Sequence, residues 1–284
     1  MLLRSYAKIN LGLRVLRKRA DGFHDIETVF HRINLYDEIE LSPHDKGISF
    51  RCTDEQIVPD GSANLCVQAA MLFQQATDTH KGVDIFLKKI IPVGAGLGGG
   101  SSDAASVLLA LSELWNIPVP FLKLREMALK LGSDVPYFLL DGTAHATGRG
   151  EMLEYFPFSV PYWIVVLFPN EQIFTKWAYQ HVQPKDGYAK SIKEILLEGI
   201  GDMEYLRNNL DNDFEEPVFE QFPLIKELRK GFYLSGAEYV SLSGSGSCLF
   251  GFYKDGEHAK FFQREMVNRF QMWTYITPPN FTTI

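Results

Sequence analysis

Residues 5–16 alternate apolar and polar side chains, with Ala7, Ile9, Leu11, Leu13 and Val15 on one side and Tyr6, Lys8, Asn10, Gly12 and Arg14 on the other. That period of two predicts a half-buried β-strand, and residues 1–41 as a whole read as strands joined by polar turns. A further strand fits 48–58. Asn64 then stands as an N-cap before a helix of Leu, Val, Ala, Met and Gln over 65–76. Residues 83–91 alternate well enough for a strand, and 104–115, rich in Ala and Leu without Gly or Pro, predict a helix. Pro118 and Pro120 separate it from an amphipathic helix over 121–131, which Gly132 closes.

Beyond that point small residues over 142–151 predict a strand and a tight turn. Pro157 and Pro161 reset the pattern, which places a domain boundary between 1–156 and 157–284. The near-continuous apolar run 163–168 predicts a strand covered on both faces. Helical segments follow over 170–230, among them 192–197 and 219–229. Residues 239–242 and 248–253 predict a hairpin around the Gly-Ser segment 243–247, then a helix over 257–270 and a strand or tail over 274–284. Strands and helices in this mixed order predict an α+β protein.

The stretch between the strand at 83–91 and the helix at 104–115 carries the strongest chemical signal. Gly94, Gly96, Gly98, Gly99 and Gly100 are five glycines in seven positions, followed by Ser101, Ser102 and Asp103. Glycine tolerates positive φ and has no Cβ, so backbone N–H groups can crowd round one ligand. A helix N-terminus adds free N–H groups and partial positive charge, which together make a cradle for an anion. A flexible linker would not be bounded so tightly by two apolar elements. The stretch lacks the Gly-Lys-Ser/Thr of a P-loop and the downstream acidic residue of a dinucleotide fold.

Composition narrows the ligand. The 284 residues are 46% hydrophobic and 22% charged, enough for a full core, and the net charge of −7 excludes a general nucleic-acid binder. A local glycine nest with a few lysines still suits a small anion. Cys52, Cys66 and Cys248 form neither a CxxC pair nor a disulfide framework, which suits a reducing compartment. The N-terminal residues lack a signal-peptide core and no run of about 18 apolar residues occurs, so a cytoplasmic protein without a membrane span is expected. No obligate protein partner is indicated.

Four further places are candidates. Lys8 and Asn10 point the same way on one strand, although a lone strand lysine is usually solvated. Arg17, Lys18 and Arg19 precede the turn Ala20-Asp21-Gly22, as a phosphate attractor or a solvated loop. Phe23 and His24 fit stacking on and hydrogen bonding to a base, and equally a hydrophobic staple with a surface histidine. Asp134, between a helix end and Pro136, fits a cap of a short helix and also a carboxylate held to handle a proton.

Residues 92–106 resemble the Pro-x-x-x-Gly-Leu-Gly-x-x-Ser-Ser signature of the GHMP superfamily, the galactokinase, homoserine, mevalonate and phosphomevalonate kinases. Ala7-Lys8-Ile9-Asn10-Leu11 with Ala20-Asp21-Gly22-Phe23-His24, and Gly132-Ser133-Asp134-Val135-Pro136, resemble a branch that phosphorylates a cytidyl diphosphate alcohol. Residues 241–247 resemble the superfamily's third, C-terminal glycine motif, so the likeness runs from residue 5 to about 253.

The resemblance implies a two-lobed GHMP kinase-like fold, with an N-terminal lobe like ribosomal protein S5 domain 2 and a ferredoxin-like α/β C-terminal lobe. It implies transfer of the γ-phosphate of ATP to a hydroxyl of a small molecule, with Mg²⁺, and singles out no metal ligand. Pro92, Val93, Gly94, Ala95, Gly96, Leu97, Gly98, Gly99, Gly100, Ser101 and Ser102 would hold the nucleotide, with Asn64 and Leu65 on its adenosine side. Lys8 and Asp134 occupy the catalytic positions, Asp134 to deprotonate the hydroxyl and Lys8 to keep it ionised and neutralise developing charge. Asn10, Phe23, His24 and Thr175 would bind the acceptor, with Phe174 adjoining. The family has Tyr where Phe23 stands here, so the ring is kept and a hydroxyl lost. Two alternatives stay open: another small-molecule kinase of the superfamily, and a non-catalytic nucleotide-binding module.

Overall fold

A computed structural model describes residues 1–53 and 61–283, so part of the strand expected over 48–58 lies outside the described residues. Grouped by compactness, the chain forms two units. One holds residues 1–7, 36–93 and 98–141; the other holds 8–35, 94–97 and 142–284. The division expected at 156/157 from the prolines follows chain order instead, in the stretch between the strands ending at Phe156 and starting at Trp163.

Two long strands open the chain. β1 (Leu2–Lys18) pairs with β2 (His24–His44), and each gives one end to either unit. In the first unit β3 (Ile48–Cys52) lies parallel to β4 (Gly82–Lys88), which runs antiparallel to the second half of β2. Three helices accompany these strands: α1 (Leu65–Thr77), α2 (Gly99–Leu114) and α3 (Phe121–Leu131). Asn64 is the N-cap of α1 as expected, its side-chain oxygen accepting the Cys66 N–H at 2.8 Å. Val107, Leu108 and Leu111 of α2 are fully buried beside Phe73 of α1 and Leu124 of α3 in the core. After α3 a 3₁₀ turn spans Val135–Leu139, with Pro136 in its first turn.

The second unit adds the hairpin β5 (Thr143–Thr147) and β6 (Met152–Phe156) to the first half of β2. Its other sheet is antiparallel throughout. β7 (Trp163–Phe168) is followed by five helices: α4 (Thr175–His181), α5 (Ile192–Gly199), α6 (Met203–Asn209), α7 (Glu215–Gln221) and α8 (Pro223–Leu234). Then come β8 (Tyr239–Leu242), β9 (Leu249–Tyr253), α9 (Gly256–Phe270) and β10 (Trp273–Thr277), and the strand order is β10-β7-β9-β8. Ile164, Val165, Val166 and Leu167 of β7 are all buried, so both its faces are covered, which explains its unbroken apolar run.

Two expectations need correction. The helix read over 219–229 is broken, because Pro223 lacks an N–H and forces Phe222 out of helical geometry to φ −121°, ψ 79°. α2 begins at Gly99, inside the glycine run and ahead of the expected start at 104, since Gly98 serves as its N-cap in the left-handed region at φ 71°. Cys52, Cys66 and Cys248 are buried free thiols, and among the described residues no helix is long and apolar enough to cross a membrane.

Candidate active site

The glycine loop follows β4 and turns on three left-handed residues, Gly94, Gly96 and Gly98, with φ of 70°, 79° and 71°. Gly96 is the tightest point: a Cβ there would lie 2.0 Å from the Ser243 carbonyl oxygen. In the second unit residues 94–97 are held from two sides. The Lys8 N–H donates to the Leu97 carbonyl at 3.0 Å and the Cys248 N–H to the Ala95 carbonyl at 3.3 Å. The Gly96 carbonyl accepts from both Lys8 Nζ (3.0 Å) and Ser243 Oγ (2.9 Å). The loop is therefore a fixed scaffold, braced by β1 and by the second glycine segment.

Lys8 is 3% exposed, against the usual solvation of a strand lysine. A buried ammonium needs partners, and besides Gly96 it donates to Asn10 Oδ1 at 2.6 Å and lies 5.1 Å over the Phe30 ring. Asn10 Nδ2 donates in turn to Thr28 Oγ1 at 2.9 Å, and that hydroxyl donates to the Gly12 carbonyl at 2.6 Å. Lys8 and Asn10 thus meet as their spacing predicts, on a rigid strand pair.

Phe23 and His24 are not a hydrophobic staple. Phe23 is 51% exposed, with the Arg149 guanidinium 4.8 Å over its ring. His24 stacks on Tyr179 of α4, with centroids 5.0 Å apart and planes 17° from parallel. Burial and then Lys18 hold His24 below the ordinary histidine range, so at neutral pH it offers one donor and one acceptor nitrogen. Thr175 is the exposed first residue of α4, its hydroxyl 3.4 Å from that of Ser245 in the second glycine segment, and the adjoining Phe174 is exposed.

The first unit carries the remaining candidates. Asp134 sits at the N-cap position of the Val135–Leu139 turn, yet its side chain makes no capping hydrogen bond. The helix-cap explanation for this carboxylate therefore fails. Asn64 is committed to capping α1, and Leu65 is half-buried at its start. In α2, Ser102 is buried and Ser101 is half-buried.

The first unit also holds a buried charge cluster that the sequence did not reveal. Lys89 Nζ is hydrogen-bonded to Asp37 and, at 3.1 Å, to Asp103 Oδ2. Asp37 Oδ1 accepts the N–H groups of Ile90 and Ile91 at 2.6 and 2.8 Å, the two residues before Pro92. A Cβ on Gly99 would meet Lys89 Nζ at 2.8 Å. One lysine thus ties the entry of the loop to the first turns of α2.

Two carboxylates share that single ammonium, and Asp103 Oδ1 is buried without a hydrogen-bond partner. Burial raises the Asp103 carboxyl well above the ordinary range, with Lys89 opposing and Asp37 reinforcing the shift. Burial alone would lower Lys89, but Asp103 and Asp37 outweigh it and raise it. Cys66 is the neighbouring thiol, pushed up by burial and then by Asp103. A carboxyl raised on folding binds its proton more tightly in the folded state, so its contribution to stability is present at acid pH and is lost as pH rises through the folded value. Asp103→Asn is expected to stabilise the protein at pH 8 by roughly 1–3 kcal/mol and to change little at pH 4, read as unfolding midpoints. An equal effect at both pH values would show that Asp103 stays ionised throughout.

No group of three His, Cys, Asp or Glu side chains able to hold a metal occurs among the described residues. Sequence reading missed Thr28, Tyr179, Ser243 and the Asp37–Lys89–Asp103 cluster. The Gly-Ser segment 243–247 was a signal for Ser243, and the end of the glycine loop was one for Asp103.

The chain is similar to known proteins over nearly its whole length. Residues 64–142 match the GHMP kinases N terminal domain and residues 189–271 the GHMP kinases C terminal domain. The chain is 42% identical to the 4-diphosphocytidyl-2-C-methyl-D-erythritol kinases of Pelodictyon phaeoclathratiforme and Chlorobium limicola, over 99% of this chain and 98% of each relative. A crystal structure of 4-(cytidine 5'-diphospho)-2C-methyl-D-erythritol kinase superposes with a TM-score of 0.84 at 37% identity, covering 99% of this chain and 100% of the other. A homoserine kinase from Cytophaga hutchinsonii shares the fold, with a TM-score of 0.73 at 19% identity over 97% of this chain and 95% of that one.

Proposed function

The chain belongs to the 4-diphosphocytidyl-2-C-methyl-D-erythritol kinases of the GHMP family, and from that premise we propose how its residues transfer the γ-phosphate of ATP to the 2-hydroxyl of that alcohol. The observation that carries the reading is the Gly96 carbonyl, which holds Lys8 Nζ against the glycine loop. Wherever that loop lines the triphosphate, an ammonium stands beside it.

The N–H groups of residues 92–102 and the N-terminus of α2 hold the ATP phosphates. Lys8 neutralises charge that spreads over the transferred group. Asp134 accepts the proton of the attacking hydroxyl, a role open to a carboxylate with no capping duty. Bound Mg²⁺ would screen the phosphate oxygens, and Ser101, less buried than Ser102, is the hydroxyl available to ligate it. Phe23 stacks on the cytosine, neutral His24 reads its edge, and Asn10 and Thr175 orient the alcohol. Arg149 sets a cation beside Phe23, fitting an acceptor that carries a diphosphate.

The test is a direct assay of the purified protein with ATP and, separately, 4-diphosphocytidyl-2-C-methyl-D-erythritol, homoserine or mevalonate. ADP release is expected only with the first. Turnover of homoserine or mevalonate without it would reject the acceptor. Phe23→Ala is expected to raise KM for the cytidyl substrate about 10- to 100-fold, the range of one lost base stack, with KM for ATP within about twofold. Equal effects on both substrates would exclude base stacking by Phe23.

A further inference from the structure

We infer that Asn212 is a positioning residue for phosphoryl transfer, acting through the second glycine segment on the carbonyl that Lys8 holds. Asn212 lies between α6 and α7, 4% exposed, and every polar atom of its amide is engaged. Nδ2 donates to the carbonyls of Leu242 (3.0 Å) and Gly244 (2.9 Å), and Oδ1 accepts the Phe214 N–H at 3.0 Å. Its own backbone is fixed to β1: the Leu13 N–H donates to the Asp211 carbonyl and the Asp213 N–H to the Leu13 carbonyl, both at 2.9 Å. Asp213 Oδ2 also accepts the Val15 N–H at 2.7 Å.

The two carbonyls that Asn212 grips flank Ser243, whose hydroxyl donates to Gly96. Gly244 itself packs against the same place: a Cβ on it would lie 3.3 Å from Asn10 Oδ1 and 3.6 Å from the Gly96 carbonyl oxygen. One amide therefore sets the distance between the strand that carries Lys8 and Asn10 and the loop that braces Gly96. Both Nδ2 protons are used in the same turn, a demand that only a primary amide of this length meets. Reaction geometry tolerates little error, since a shift of about 1 Å can cost 10²-fold in rate. The effect should fall on kcat, because ATP keeps its other backbone contacts.

The inference rests on Lys8 as the catalytic cation, and the experiment separates the two. Asn212→Asp keeps shape but replaces both donors by acceptors. Asn212→Ala removes them, and Ser243→Ala removes only the hydroxyl that reaches Gly96. Asn212→Asp and Asn212→Ala are expected to lose about 30- to 100-fold in kcat with KM for ATP within about threefold, and Ser243→Ala about 10-fold in kcat. The pair Asn212→Ala/Ser243→Ala should lose less than the product of its single variants, because both act through one carbonyl. Wild-type kcat in the Asn212 variants, a loss shared equally between kcat and KM, or multiplicative effects in the pair would each overturn the inference. If the Asn212 variants do not fold, Ser243→Ala decides alone: unchanged kcat there overturns it. Lys8→Met run alongside gives the control. Full turnover in that variant removes the premise, whereas an inactive Lys8→Met beside fully active Asn212 variants removes this inference only.

Discussion

Asp134→Asn is expected to cut turnover by about 10³-fold or more while ATP affinity stays within about threefold. Asparagine keeps the size, the planar shape and one oxygen of aspartate, but it cannot take a proton at neutral pH. The substitution removes no cap of the turn. Asp134 opens a 3₁₀ turn at ordinary φ and ψ of −84° and −18°, and its side chain supports that turn with no capping bond. Loss of activity with an unchanged unfolding midpoint would therefore report on chemistry and not on structure. Turnover near the wild-type rate would reject Asp134 as the base.

The second large effect belongs to Gly96→Ala. A Cβ at φ 79° costs about 1–2 kcal/mol in the left-handed region before any contact is counted. Here it would also meet backbone on one side, 2.0 Å from the Ser243 oxygen and 3.1 Å from that of Gly246, neither of which is a flexible side-chain end. Relief requires residues 94–97 to move away from 243–246, which breaks the Lys8 and Ser243 bonds to the Gly96 carbonyl. The expected result is a loss of ATP affinity of about 100-fold or more with turnover at background, measured by calorimetric titration and ADP release. Gly231→Ala in α8 is the internal control: its φ is ordinary and its Cβ would meet nothing within 4 Å. Near-normal ATP binding by Gly96→Ala would mean that the loop does not hold the phosphates.

Much of this arrangement is local and therefore readable from the chain. Asn64 before an apolar helix, the hairpin around 243–247, and the glycine loop between a strand and a helix each depend on neighbours a few residues away. Where reading failed, distant partners decided. Lys8 looks like a solvated strand residue until Phe30, Asn10 and Gly96 enclose it. Asp37 and Lys89 carry no motif and Asp103 reads only as part of a helix start; at separations of 52 and 14 residues, only the fold makes them one cluster. Tyr179 carries no motif, yet it is the ring on which His24 rests. The break at Pro223 is the exception, since the residue types alone forbid one continuous helix there.

The bond from Ser243 to Gly96 spans 147 residues of chain, and that distance has a meaning during synthesis. A ribosome that has released β1, the glycine loop and α2 has released a loop with only one of its two braces. The loop gains its second brace only when the β8–β9 hairpin has emerged. If the loop holds the nucleotide as proposed, ATP is expected not to steady the chain before that point. Nascent chains should thus acquire nucleotide protection against proteolysis abruptly and late, and a chain stopped before Ser243 should show none, however well its N-terminal helices have formed.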